Sequence, residues 1–183
     1  MAEQMINEII EMKHNVGSDN IQYKEIIRKK LLDNKKIIHA LNDPDLDEDC
    51  SDDYFWTHIF PYYLLVDTQT KKMNYICFET SFTDVSRYND VLKMGQIVFY
   101  IVCDNKDIKD EETGIPRHDL LAALITDEFN WSNDFGTQVK LVSDRAAAID
   151  SQYIGRTLVF EQTTANSIVK GGANKRVYNY IGD

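Results

Sequence analysis

"IVFYIVCDNKDIKDEETGIPRHDLLAALITDEFN" spans residues 97–130. An apolar run, an acidic loop and an amphipathic helix follow one another there. The run at 96–103 is rich in β-branched and aromatic residues, which predicts a strand. It is apolar at consecutive positions, so it is expected to lie centrally, with both faces covered. Pro116 limits how early the next helix starts. Beyond it, Leu120, Leu121, Leu124, Ile125 and Phe129 fall on one face, the spacing that lays a helix on a sheet.

Two more strands are expected before this stretch, "PYYLLV" at 61–66 and "MNYICFET" at 73–80, with "DTQTKK" as a polar hairpin loop between them. Two follow it, "VKLVSD" from Val139 and "RTLVFEQ" from Arg156. Residues 18–42 carry a helical stripe of Tyr23, Ile27, Leu31 and Ile38, flanked by Ile26 and Leu41 and interrupted by Asn34. Ser18 or Asp19 is placed to cap that helix. Its polar side bears Lys24, Arg28, Lys29, Lys35 and Lys36. A shorter helix is expected within 3–14. The pattern predicts an α+β fold, a mostly antiparallel sheet of four to five strands flanked by helices. An N-terminal helical extension (1–17) precedes the main domain (18–162), and a C-terminal arm (163–183) follows, with Gly171 and Gly172 in its middle.

Composition narrows the function. The chain has 183 residues, 43% of them hydrophobic, which suits one domain with extensions. A net charge of −10 argues against wrapping nucleic acid, because phosphate binding needs cations to release counterions. The three cysteines, Cys50, Cys77 and Cys103, show no CxxC spacing, so neither zinc nor a disulfide framework is expected. The charged N-terminus does not read as a secretory signal, and no apolar run reaches the ~20 residues of a membrane span. The expected setting is a reducing cytoplasm.

Candidate chemistry is sparse. "NDPDLDEDCSDD" alternates acids as a calcium loop does, but its sixth position from Asp43 is Glu48 instead of Gly, and its twelfth is Tyr54 instead of Glu. It reads as a solvated acidic loop. A magnesium nuclease built on Asp67 and Glu79 lacks its lysine, since Ser81 stands two positions after Glu79. "KGGANK" lacks the GxxxxGK spacing of a phosphate loop. His118 and Asp119 form a possible base pair for Cys103, yet Asp119 equally complements the positive end of its helix. No catalytic residue, metal or cofactor is expected.

The early helix, "PYYLLVDTQTKKMNYICFET", "QIVFYIVC", "TGIPRHDLLAALITDEFN" and "YIGRTLVFE" together resemble the tail terminator (tail completion) proteins of tailed bacteriophages, over roughly residues 20–162. The N-terminal helix and the segment "SIVKGGANKRVYNYIGD" depart from the compact pattern of that family, and a head-closure or adaptor role in the same phage neck stays open. The resemblance implies a non-enzymatic structural virion protein. It would form a homohexameric ring that caps the tail tube and joins it to the head-closure or connector protein, with DNA passing unbound through the lumen. The residues read compatibly. A ring needs two unlike, complementary faces. Lys24, Arg28 and Lys29 on one helix, and Asp45 and Asp47 in the acidic loop, are candidates for them. Arg117 and Asp119 are expected to fix a helix start and a neighbour contact, and Tyr178 and Tyr180 to reach onto another protein.

Overall fold

β3 (Leu92–Asp104) is the middle strand of a five-stranded sheet. In the computed structural model, which describes residues 4–7, 19–63, 73–84, 92–149, 151–165, 170–171 and 175–176, the sheet order is β1-β2-β3-β5-β4. The other strands are β1 (Ile59–Phe60), β2 (Tyr75–Asp84), β4 (Lys140–Ala148) and β5 (Tyr153–Ala165). Residues 4–7 are helical (α1), followed by α2 (Asp19–Asp33), α3 (Lys35–Leu41) and α4 (Arg117–Phe129). Two short strands, β6 (Lys170–Gly171) and β7 (Lys175–Arg176), pair as a separate antiparallel ribbon. The fold is α+β with a mostly antiparallel sheet, as the sequence pattern predicts.

Alternation along β3 sorts its side chains between the two faces. Ile97, Phe99, Ile101 and Cys103 point towards the helices and are buried. Register puts Phe78 and Phe160 on either side of Phe99 or one step from it, and the three rings pack with Phe129 of α4. Each fully buried ring of this kind stabilises by roughly 1.5–3 kcal/mol through removal of apolar area from water. Among the described residues the opposite face is covered at one end, where Phe60, Tyr75, Cys77, Val102 and Tyr153 form a small second cluster. Val98 and Tyr100 remain half-buried, so the expected covering of both faces holds over part of β3 alone.

Two expectations are corrected. Among the described residues the first strand is the two-residue β1; of the strand expected at 61–66, residues 61–63 are not in a strand and 64–66 lie outside the described residues. β1 pairs in parallel with β2, Ile59 beside Ile76. Parallel neighbours are joined by a crossover rather than a tight hairpin; the polar loop expected at 67–72 lies outside the described residues. The helix at 18–42 is in fact two. Asn34 breaks it and caps α3, its side-chain oxygen accepting from the amides of Lys36 and Ile37. The polar interruption in the stripe is therefore a cap. The central strand β3, the helix α4 and the two late strands β4 and β5 form where expected. α4 starts at Arg117, directly after Pro116, and buries Leu121, Ala122, Ile125 and Phe129.

Gly155 on β5 is required where it stands. A Cβ there would lie 2.8 Å from the carbonyl oxygen of Ile101 and 2.8 Å from the Ile149 side chain. The absent side chain lets β3 on one side and Ile149, just past β4, on the other approach β5 closely.

Candidate assembly surface

The opening of α4 sends its first residues in opposite directions. Arg117 is 3% exposed and points inward. Its Nη1 donates to the carbonyl of Ala40 at 2.9 Å, and its Nε to the carbonyl of Asp107 at 3.0 Å. The carboxylates of Asp107 and Asp110 lie at 3.2 and 3.4 Å. Asp110 is itself held by the hydroxyl and amide of Thr113, which with Arg117 keep its carboxyl below the usual carboxylate range. A guanidinium spent in this way on the chain's own carbonyls offers nothing to a neighbour. Arg117 is the first residue of α4, and its guanidinium is directed at its own chain.

Asp119 faces outward and meets Arg156 of β5 at 2.6 Å. Arg156 also grips Asp144 of β4 with two donors, Nε at 2.6 Å and Nη2 at 3.0 Å, a bidentate pair. The hydrogen bonds of Asp144, then those of Asp119, raise the pKa of Arg156. These three residues form one end of a shallow groove of about 690 Å³ between α4 and β4. Ala122, Ala123 and Thr126 floor it, Leu141 and Asp127 flank it, and Trp131 closes the far end. The loop after α4 holds its shape because Asn130 Oδ1 accepts the amide of Leu141 and the Trp131 amide donates to Val139 O at 2.7 Å. Trp131 is 54% exposed at φ 67°, a left-handed conformation that bulky residues rarely adopt. Lys140 lies 4.9 Å over its ring.

β4 forms the outer wall of this groove, and among the described residues its far edge pairs with no strand. It is exposed along most of its length, including Val142 at 52%. The other end of the sheet is different in kind. There β1 is two residues long, and Trp56, Tyr62 and Tyr63 stand exposed in contact with Phe55, Phe60 and Tyr100. Trp56 also has a left-handed φ, 71°.

The basic and acidic segments expected as complementary faces are largely satisfied within the chain. Lys24 pairs with Glu79 at 2.7 Å and donates to the carbonyl of Pro61. Arg28 pairs with Glu25 and Asp52, and Lys35 with Asp49. Lys29 is exposed on α2. Asp45 and Asp47 are exposed in turns, where the amides of Asp45 and Asp49 donate to Asp43 and Asp47. The stretch is not wholly solvated, however. The Asp43 side chain is 7% exposed and its Oδ2 lies 2.5 Å from Nε2 of His58, which is 1% exposed. His58 Nδ1 faces the carbonyl of Asn74 at 2.8 Å. Sequence reasoning missed this pair; the acidic run hid one residue that differs from its neighbours. Tyr178 and Tyr180 lie outside the described residues.

The arrangement offers little to bond-making. Cys103 is fully buried and its thiol pKa is pushed well up by desolvation, so it stays protonated beside the contact of His118 and Asp119 at 3.2 Å. Glu79 is engaged by Lys24, and Asp67 lies outside the described residues. Among the described residues no group of three His, Cys, Asp or Glu side chains is placed to hold a metal, and no helix is long and apolar enough to cross a membrane.

No curated protein matches the chain significantly. The YomW family model matches residues 24–162, from α2 almost to the end of β5 and more than half of the chain. The stretch that builds the sheet, the groove and the Arg117 clamp is thus the stretch the family shares, and the chain belongs to the phage-derived YomW family.

Proposed function

We propose that this protein is a structural component of the phage neck, a tail-terminator ring that caps the tail tube and joins it to the head-closure or connector protein. One observation carries the reading: the two ends of the sheet are unlike. A head-to-tail ring needs a surface of one kind meeting a surface of another, repeated until rotation closes it. The long exposed edge of β4 with its groove, and the aromatic patch of Trp56, Tyr62 and Tyr63 beside β1, form such a pair. Open strand edges promote association unless they are covered. Membership of a phage-derived family supports the setting, and the resemblance noted above suggests six subunits.

The net charge of −10 supports a lumen through which DNA slides, since an acidic wall gives phosphates nothing to hold. The protein acts here by shape and self-association and carries out no reaction. The location is the virion, after synthesis in the host cytoplasm. The test is electron microscopy of purified particles labelled with antibody against this chain, with native mass measurement of the protein. The expected result is label at the head–tail junction and a closed oligomer. Particles that lack the chain altogether would refute the proposal.

A further inference from the structure

Arg28, Arg117 and Arg156 are each held by two carboxylates of their own chain. Arg145 is not. It stands exposed on β4, the edge strand, and forms no ion pair among the described residues. Its register partner is Thr157, which faces Tyr100 in turn, so Arg145 lies on the side of the sheet turned away from the helices.

The other end of the sheet carries a place for a guanidinium. There an acid is followed three residues later by an aromatic. Asp52 and Phe55 use this spacing to hold Arg28: the carboxylate lies 3.3 Å from Nη1, and the guanidinium carbon sits 5.4 Å from the ring centroid. One residue on, Asp53 and Trp56 repeat the spacing. Asp53 is exposed and Trp56 is 58% exposed, and among the described residues neither meets a cation. The other exposed tryptophan, Trp131, already has Lys140 over its ring. A tight turn holds Trp56 outward. Its amide donates to the carbonyl of Ile59 at 3.0 Å, and its φ of 71° is one that bulky residues rarely adopt. Backbone strain of this kind concentrates at surfaces that bind.

We infer that Arg145 of one copy docks on Asp53 and Trp56 of a second copy, its guanidinium stacking on the indole and pairing with the carboxylate. Tryptophan is the strongest aromatic partner for a cation, and the planar guanidinium stacks on a ring while its edge meets a carboxylate. Arginine and tryptophan are also the residue types that carry most of the energy of protein interfaces. The partner is a second copy and not the same chain. Four strand spacings separate β4 from β1. At about 4.8 Å each they amount to roughly 19 Å, farther than one arginine side chain reaches. The two surfaces are unlike, so the contact is head-to-tail and repeats from copy to copy. It deepens the ring reading and rests on it only for closure: the pair names the side chains that the two ends of the sheet exchange.

The test uses the full chain with Cys50→Ser, which removes the exposed thiol and leaves Cys77 and Cys103 buried. One preparation carries Ser143→Cys, two residues from Arg145 on the same strand face; the other carries Thr57→Cys, next to Trp56. The two are mixed and treated with a short bis-maleimide, which captures even a brief contact. The expected product is a linked pair with one copy of each, severalfold more abundant than the pairs either preparation forms alone. Arg145→Glu added to the first preparation should lower that yield severalfold, and Asp53→Arg added to the second should then restore it. Rescue by the reversed pair shows that both variants fold. Absence of the mixed pair would overturn the inference, as would a yield that Arg145→Glu leaves unchanged. Links between two Ser143→Cys copies in preference to the mixed pair mean a two-fold contact and would also overturn it. A mixed pair from a chain that is absent from phage particles leaves this inference standing and removes the ring reading; label at the head–tail junction without a mixed pair does the reverse.

Discussion

Arg117 and Ala40 are 77 residues apart, yet the guanidinium Nη1 donates to the Ala40 carbonyl at 2.9 Å within the buried interior. That bond ties the start of α4 to the last turn of α3, where a carbonyl would otherwise lack an intrahelical partner. The same side chain closes the loop between β3 and α4 through Asp107 and Asp110. Removing one member of a buried, hydrogen-bonded charge set leaves the others uncompensated, at a cost of about 3–5 kcal/mol. Arg117→Ala should therefore lower the denaturant midpoint by that amount with little change in slope. Arg117→Lys should rescue little, because an ammonium cannot reproduce the forked donors. Chemical denaturation followed by far-UV circular dichroism decides it; a variant as stable as the parent would show the clamp to be dispensable.

His58 and Asp43 make a second internal joint. Both ring nitrogens of His58 face oxygen partners, the Asn74 carbonyl and the Asp43 carboxylate. Asp43→Ala leaves the buried ring without its partner and should destabilise by about 2–4 kcal/mol. It should also loosen residues 43–50, seen as faster amide exchange there. Equal exchange in both proteins would mean the acidic loop is held by something else.

These two joints mark where reading the sequence succeeds and where it stops. Periodicity places β3, α4 and β5 well, because each buries one face continuously and repetition carries the signal, whereas β4 is read from its alternation alone, its side chains staying largely exposed. β1 escapes it. A two-residue strand has no period, and its parallel pairing with β2 is fixed by contacts distant in sequence. Asn34 looked like a flaw in one helix because a cap and an interruption are the same residue type at the same place. Arg117 was legible as the helix start, but its direction was not: two residues of rotation separate the buried Arg117 from the outward Asp119. The groove was not legible at all, since Asp127, Asp144 and Arg156 come from α4, β4 and β5 and Trp131 from the loop after α4.

Gly155 tests how closely β3 and the residue after β4 pack against β5. A methyl group there meets the Ile101 carbonyl and the Ile149 side chain, both at 2.8 Å. Ile149 can swing away, but the Ile101 carbonyl belongs to the central strand and cannot. Gly155→Ala is expected to cost about 1–3 kcal/mol through overpacking, against the usual small gain from replacing glycine in a strand. A thermal melt that rises on substitution would show that the strands separate readily at this point.

The charged joints predict how stability follows pH. The pKa of His39 is raised, chiefly by its hydrogen bond to Glu48 at 2.8 Å and then by that carboxylate's charge. A raised value in the folded state means the contribution is complete below the unfolded value of about 6.5 and disappears as pH climbs through the folded one. Exposure of about half for both side chains keeps the effect small, within about 1 kcal/mol. Asp110 runs the other way. Its pKa is lowered by Thr113 and then Arg117, so its contribution is present above about 3.9 and is lost as pH falls through the folded value. Unfolding free energy measured across pH should therefore show a shallow loss on the alkaline side that vanishes in His39→Gln, and an acid-side loss that is reduced in Thr113→Val. If His39→Gln keeps the full alkaline slope, the pairing with Glu48 carries no stability in solution.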